Sequence, residues 1–133
     1  MLFPVTYDGV HAFFRNRPYA DVYCHGVNGV VAPAKQLHLS LLVDTGADYL
    51  ELPNSVARQL NINLNAGYPQ NQILTAGGYL PVTVVNNFTV TIEGKNVSVT
   101  AHFSSISNGL LGLRAILAAV NFGLDTKQWL YEL

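Results

Sequence analysis

The sequence predicts an all-β fold with one or two short helices. Tyr, Val, Thr and Phe are frequent, and short apolar runs are broken by Gly, Asn and Pro. Phe88–Ile92 and Val97–Phe103 alternate between apolar and polar residues on the two sides of the turn Glu93–Asn96, which is typical of a β-hairpin. With 133 residues, the chain is expected to form one domain.

The first half of the chain predicts two strands joined by a turn. Residues 1–17 are interpreted as an N-terminal arm, and residues 18–133 as the domain. Tyr19–His25 and Leu37–Val43 have the composition of strands, and Gly26–Gly29 supplies turn residues after the first of them. The second strand therefore leads directly into the acidic turn that follows it.

The second half predicts helices and a hairpin with a glycine-containing tip. Asn54–Leu60 fits a short helix that follows Pro53, and Asn54 or Ser55 can cap its first amides. Ile73–Val85 is expected to form two short strands around Thr75–Gly78. The last expected elements are an apolar strand at Leu110–Gly112, a helix at Ala115–Val120 closed by Asn121 and Gly123, and a strand at Trp129–Leu133 that needs a partner strand.

Charge and composition argue against several classes of partner and compartment. The net charge is −1 and Lys and Arg form no run, so neither a nucleic-acid partner nor a membrane surface is expected. Cys24 is the only cysteine, which excludes an intrachain disulfide and suggests a half-buried strand thiol. No membrane-spanning run is visible and Met1–Asp8 lacks the pattern of a signal peptide, so we expect a soluble, cytoplasmic protein.

The four histidines and the serines near one of them have simpler interpretations than catalysis. His11, His25, His38 and His102 lack the spacing of a metal site and are expected at satisfied surface or rim positions. The serines of residues 104–107 follow His102, but no nucleophile elbow surrounds them. They are interpreted as loop residues.

Asp44-Thr45-Gly46, directly after an apolar strand, is the motif that indicates chemistry. Two carboxyl groups held side by side share one proton, so one can activate water as a base while the other acts as an acid. The motif occurs once, because the other Asp-Thr pair, at residues 125–126, is followed by Lys127. One chain supplies one carboxylate, and a two-fold homodimer would supply the second.

In four segments taken in order, the sequence resembles the retropepsins, the retroviral-type aspartic proteases. The resemblance covers roughly residues 18–133, which is most of the chain. The segments are the catalytic loop Leu41–Asp48, the glycine-tipped flap Thr75–Val82, the following hairpin Phe88–Phe103, and Leu110–Gly112 with the apolar helix after it. The resemblance implies a closed β-barrel, a homodimer that cleaves peptide or protein substrates, and no metal or organic cofactor.

The resemblance also implies a role for each matching residue. Asp44 would be the catalytic aspartate, with Thr45, Gly46, Leu111 and Gly112 supporting its loop. The substrate-binding residues would be Ala47 and Asp48 beside the loop, and Ala76, Gly77 and Gly78 at the flap tip.

Two departures and several alternatives accompany this interpretation. The arginine of the second signature is shifted by one position to Arg114, which puts an ion pair with Asp48 in doubt, and Val30–Ser40 lengthens the first hairpin.

Asp44 could be a turn residue, and Gly77-Gly78 a plain hairpin turn. The chain could also be an inactive dimer that binds peptides or serves assembly, or one subunit of a larger assembly whose partner supplies the second aspartate. The dimer could form through interleaved strands from Met1–Val5 and Trp129–Leu133, or through helices.

Overall fold

The computed structural model describes residues 8–27 and 36–133, so Met1–Val5 and Val30–Lys35 lie outside the described residues. The described elements are β1 (Gly9–Ala12), β2 (Tyr19–Val27), β3 (Leu37–Asp44), β4 (Leu50–Pro53), α1 (Asn54–Gln59), β5 (Gln70–Thr75), β6 (Gly78–Ile92), β7 (Lys95–Ser104), β8 (Leu110–Gly112), α2 (Leu113–Ala119), β9 (Asn121–Leu124) and β10 (Gln128–Glu132). β1 falls within the arm predicted for residues 1–17, and the division into arm and domain stays a prediction.

Six strands form a closed barrel, which confirms the predicted mostly-β barrel. Their order is β2-β3-β8-β4-β7-β6, and β6 closes the ring by pairing antiparallel with β2. Large apolar side chains from these strands fill the interior, among them Val22, Leu50, Leu52, Phe88, Phe103 and Leu111. Burying this apolar surface is the main force that stabilises the barrel.

β6 is one 15-residue strand, although the sequence predicts separate strands on either side of its middle. The polar pair Asn86-Asn87 suggests a break, but the chain continues through a register shift between Val85 and Phe88, and Asn87 has a positive φ of 55°. Such a bulge inserts extra residues and bends a strand without ending it. The outer half of β6 can therefore leave the barrel and pair with β5 as a hairpin.

The ends of the described chain form a second, three-stranded sheet in the order β1-β10-β9. β10 has antiparallel neighbours on both sides, so the predicted terminal strand finds its partners within its own chain. Asn121 and Gly123, predicted to close a helix, lie in β9. Trp129 ties this sheet to the barrel, because its fully buried indole donates a hydrogen bond of 2.9 Å to the carbonyl oxygen of Tyr19.

Both predicted helices form, with differences at their N-termini. Pro53 occupies the N-cap of α1 with no side-chain hydrogen bond, so the predicted capping by Asn54 or Ser55 is wrong. α2 begins at Leu113, two residues earlier than predicted, for a reason found in the contacts of its first amides described below. Among the described residues, neither helix has the length and apolar character needed to cross a membrane.

Cys24 is completely buried, deeper than predicted, and we expect its thiol to resist modification in the folded protein. Burial disfavours the thiolate and raises the pKa of Cys24 from 9.0 to about 12. At pH 8 an aromatic disulfide reagent should react slowly with the native protein and rapidly in guanidinium. Since the folded pKa is the higher one, thiol burial should also stabilise the fold below pH 9 and lose this effect towards pH 12. Equal reaction rates for native and unfolded protein would contradict the burial.

Candidate active site

The loop that carries Asp44 is positioned by three strands at one end of the barrel. β3 ends at Asp44, and the chain returns into β4 at Leu50. β8 runs between these strands, parallel to β3 with Asp44 beside Gly112, and antiparallel to β4. The loop therefore leaves and re-enters the barrel around a strand from a distant part of the sequence.

The carboxylate of Asp44 is half-buried and is oriented by the backbone of its own loop. The Gly46 N–H donates a hydrogen bond of 2.9 Å to its Oδ1, and the Ala47 N–H donates to the Asp44 carbonyl oxygen at 3.2 Å. A side chain at Gly46 would place its Cβ 3.2 Å from Oδ1, so glycine suits this approach. No other residue of 8–27 or 36–133 donates to the carboxylate. One oxygen is thus oriented, and the other stays open to a partner or to water.

The first backbone amides of α2 hold the far side of the loop. Leu113 N–H donates to the Ala47 carbonyl oxygen at 2.8 Å, and Arg114 N–H donates to that of Asp48 at 2.9 Å. The first amides of a helix have no partner inside the helix, so loop carbonyls that accept from them stabilise both segments. This explains why α2 starts at Leu113 without a capping side chain.

Of the two residues predicted as loop support, Gly112 contacts the loop directly, and Leu111 pairs with Val43 and Leu50 at the two ends of the loop. Leu111 is fully buried, and the Gly112 N–H donates to the Tyr49 carbonyl oxygen at 3.1 Å. A Cβ built on Gly112 would lie 2.2 Å from that oxygen. Since Gly112 has an ordinary φ of −75°, the glycine is needed for close backbone approach and not for its conformational freedom.

Asp48 and Arg114 do not form the ion pair that the shifted position of the arginine had put in doubt. Asp48 is exposed, and no ion pair joins it to Arg114 in the described part of the chain. The Arg114 guanidinium instead lies 5.4 Å from the centroid of the Tyr49 ring. Arg114 therefore contacts the loop through an aromatic side chain and not through a carboxylate.

The β5–β6 hairpin lies where the flap was predicted, with Ala76 and Gly77 exposed at its tip. The Gly77 N–H donates to the Thr75 hydroxyl at 3.2 Å, and that hydroxyl donates to the Gly78 carbonyl oxygen at 2.8 Å. Gly78 has a φ of +109°, which side chains other than hydrogen rarely allow. The structure thus closes the tip by local bonds, while Ala76 and Gly77 stay exposed.

The two faces of this hairpin differ in their burial. Leu74 and Tyr79 are cross-strand partners and are 73% and 71% exposed. Ile73 and Leu80, the next pair, are half-buried on the opposite face. Because side chains alternate between faces, the Ile73–Leu80 face is the one shared with Val82 and directed toward the barrel.

Three residues beside the loop were not identified from the sequence, namely Tyr49, Glu51 and His102. His102 was expected at the surface or rim, but it is 5% exposed, and its Nδ1 lies 3.3 Å from Oε1 of the equally buried Glu51. His25 is also buried, with Nε2 2.6 Å from the Thr91 hydroxyl. Glu51 and His102 are 51 positions apart and meet only because β4 and β7 pair in parallel, so no local pattern could reveal them.

Comparisons with known proteins agree with this geometry. The family described as "gag-polyprotein putative aspartyl protease" matches residues 27–117. A solved retropepsin-like aspartic protease from Rickettsia conorii is similar in fold, with a TM-score of 0.68 at 23% identity, covering 96% of this chain and 99% of that chain. No curated protein matches the sequence. Since the family match spans more than half of the 133 residues, the chain belongs to the gag-polyprotein aspartyl protease family and has a retropepsin-like fold.

Proposed function

We propose that the chain is an aspartic endopeptidase that acts as a homodimer. The observation that supports this most is the state of Asp44, whose half-buried carboxylate is oriented through one oxygen by Gly46, while its other oxygen accepts no hydrogen bond from residues 8–27 or 36–133. A two-fold axis through this loop brings the partner subunit's Asp44 against it, because an isologous contact repeats the same residue on both sides. The pair then shares one proton.

The proposed reaction divides acid and base work between the two carboxyl groups. The ionised group takes a proton from a water molecule, and the oxygen of that water attacks the peptide carbonyl carbon. The protonated group donates its proton to the carbonyl oxygen, giving a tetrahedral diol without a covalent enzyme intermediate. When the C–N bond breaks, a proton passes to the leaving nitrogen and the other product becomes a carboxylic acid. Atoms balance with one water consumed.

The surrounding residues are assigned supporting roles in this proposal. Thr45 and Gly46 orient the catalytic carboxylate, Ala47 and Asp48 border the substrate groove, and the Ala76–Gly78 tip closes over it. An extended peptide would bind by strand-like hydrogen bonds to accessible backbone groups of the loop and flap. Closure of the flap would exclude bulk water and fix the scissile carbonyl. The proposed chemistry requires no cofactor.

Incubation with a peptide library at acid and neutral pH tests the activity. We expect internal cleavage at sites that share apolar side chains around the scissile bond, because the chain from Gln59 to Ile92, which contains the flap, carries no charged residue. Mass spectrometry identifies the products. Peptides that bind without being cut at any pH would favour the inactive peptide-binding dimer instead.

Sedimentation at several concentrations tests the assembly. Specific activity should rise with the dimer fraction, since each chain supplies half of the carboxyl pair. A species that remains monomeric and still cleaves peptide would exclude the symmetric dimer. Activity that requires a different protein would point to a partner that supplies the second aspartate.

A further inference from the structure

The segment Ala47–Tyr49 joins Asp44 to β4, and its carbonyl oxygens accept hydrogen bonds from α2 and β8. Beside the Tyr49 side chain lies a cavity of about 210 Å³, which is lined also by Thr100 of β7 and by Arg114 and Ala118 of α2. Close packing normally prevents movement of a loop, and a cavity leaves room for it. The contacts of the Tyr49 side chain therefore decide how well this segment is fixed.

The Tyr49 ring contacts both a cation and a second aromatic ring. The Arg114 guanidinium is 5.4 Å from its centroid, and the centroid of the His102 ring is 4.6 Å away with the planes inclined by 42°. Both distances are in the range of favourable contacts to an aromatic ring. We call Arg114, Tyr49, His102 and Glu51 the Tyr49 column.

The buried end of the Tyr49 column is fixed within the barrel. His102 and Glu51 face each other on the paired strands β7 and β4, and both are less than a tenth exposed. The Nδ1 atom of His102 lies 3.3 Å from Glu51 Oε1. The imidazole consequently has a defined orientation against which the Tyr49 ring can pack.

We propose that Tyr49 is a positioning residue for the reaction, and that the Tyr49 column replaces the ion pair between Arg114 and Asp48. Arg114 holds the ring through cation–π contact, so the exposed carboxylate of Asp48 stays available to face substrate. The predicted effect on the cleavage rate rests on the proposed peptidase function. The predicted effect on the order of the loop can be measured without any activity.

The test compares substitutions that keep or remove the ring and the cation. Tyr49→Phe and Arg114→Lys should cleave peptide at rates within about twofold of the wild type, because ring and charge remain. Tyr49→Leu should lower kcat by about tenfold or more, since small misplacement of a reacting group is costly. Arg114→Gln should give a smaller loss without removing a buried group. The matched control is Tyr23→Leu, which removes an exposed tyrosine stacked on His38 at 4.8 Å and should leave kcat unchanged.

Hydrogen exchange of the Leu113 and Arg114 amides provides a readout that does not require catalysis. These amides bond to the carbonyl oxygens of Ala47 and Asp48, so a loosened loop should raise their exchange rates in Tyr49→Leu and Arg114→Gln, and not in Tyr23→Leu. Unchanged exchange in both variants would overturn the proposal, whatever the activity. If exchange rises while even the wild type cleaves nothing, the Tyr49 column still orders the loop, and the peptidase assignment fails together with the effect on rate.

Discussion

Asp44→Asn is expected to lower kcat/KM for peptide cleavage by at least about 10³-fold, since the substitution removes both carboxyl groups of the proposed pair. The side chain keeps its size, and its amide oxygen can still accept from the Gly46 N–H, so fold and dimer should persist. Initial rates on one identified peptide, with circular dichroism and sedimentation of the same samples, provide the measurement.

Asp125→Asn is the matched control because Asp125 is also followed by threonine. It is exposed, and hydrogen bonds from the Thr126 backbone and side chain and from Gln128 lower its carboxyl pKa. Since these bonds are local to the turn before β10, activity should not change. Cleavage by purified Asp44→Asn at the wild-type rate would reject Asp44 as the catalytic residue.

Mixed dimers test whether the two carboxyl groups act as one pair. We compare an equal mixture of wild-type and Asp44→Asn chains with wild-type protein at the same total concentration. If the chains exchange freely, the mixture should have about one quarter of the wild-type activity, because only dimers with two aspartates are competent. A loss to one half would mean that each subunit works alone. That result would contradict proton sharing across a two-fold axis even if Asp44 proved essential.

Local patterns in the sequence are sufficient to predict the turn that carries Asp44, the β5–β6 hairpin and the long β6–β7 hairpin. Asp44 follows an apolar strand, Gly77-Gly78 marks a turn, and the alternation in Phe88–Phe103 specifies a strand pair. In the two hairpins the residues that pair are near each other in the chain. Their neighbours in sequence are also their neighbours in space, so pattern and structure agree.

The remaining features depend on contacts between distant residues. β4 is only four residues long and is stabilised by β7 and β8, and β9 forms because β10 lies beside it. The partner of Arg114 is likewise decided by where α2 places it, above the Tyr49 ring and not near the carboxylate of Asp48. Strand propensity and charge alone cannot identify such partners, because tertiary packing selects them.

Gly112→Ala is expected to destabilise the fold by about 3 kcal/mol or more, and to abolish activity with it. The added methyl carbon would lie 2.2 Å from the Tyr49 carbonyl oxygen, 2.7 Å from its nitrogen and 2.8 Å from the Asp48 carbonyl carbon. These are backbone atoms, which cannot rotate away as a side chain can. Relief would require β8 to separate from the loop, breaking the bonds that connect α2 to Ala47 and Asp48.

Guanidinium unfolding of Gly112→Ala and of Gly77→Ala tests this prediction. The comparison separates the effect of a steric clash from the general effect of replacing glycine by alanine. Gly77 lies at the tip of the proposed flap, but a methyl group there would meet nothing closer than the Thr75 hydroxyl at 3.9 Å, and its φ is not in the left-handed region. Gly77→Ala should therefore unfold at nearly the wild-type midpoint. If Gly112→Ala did the same, β8 could not lie against the loop as described, and the strand that positions Asp44 would have to be sought elsewhere.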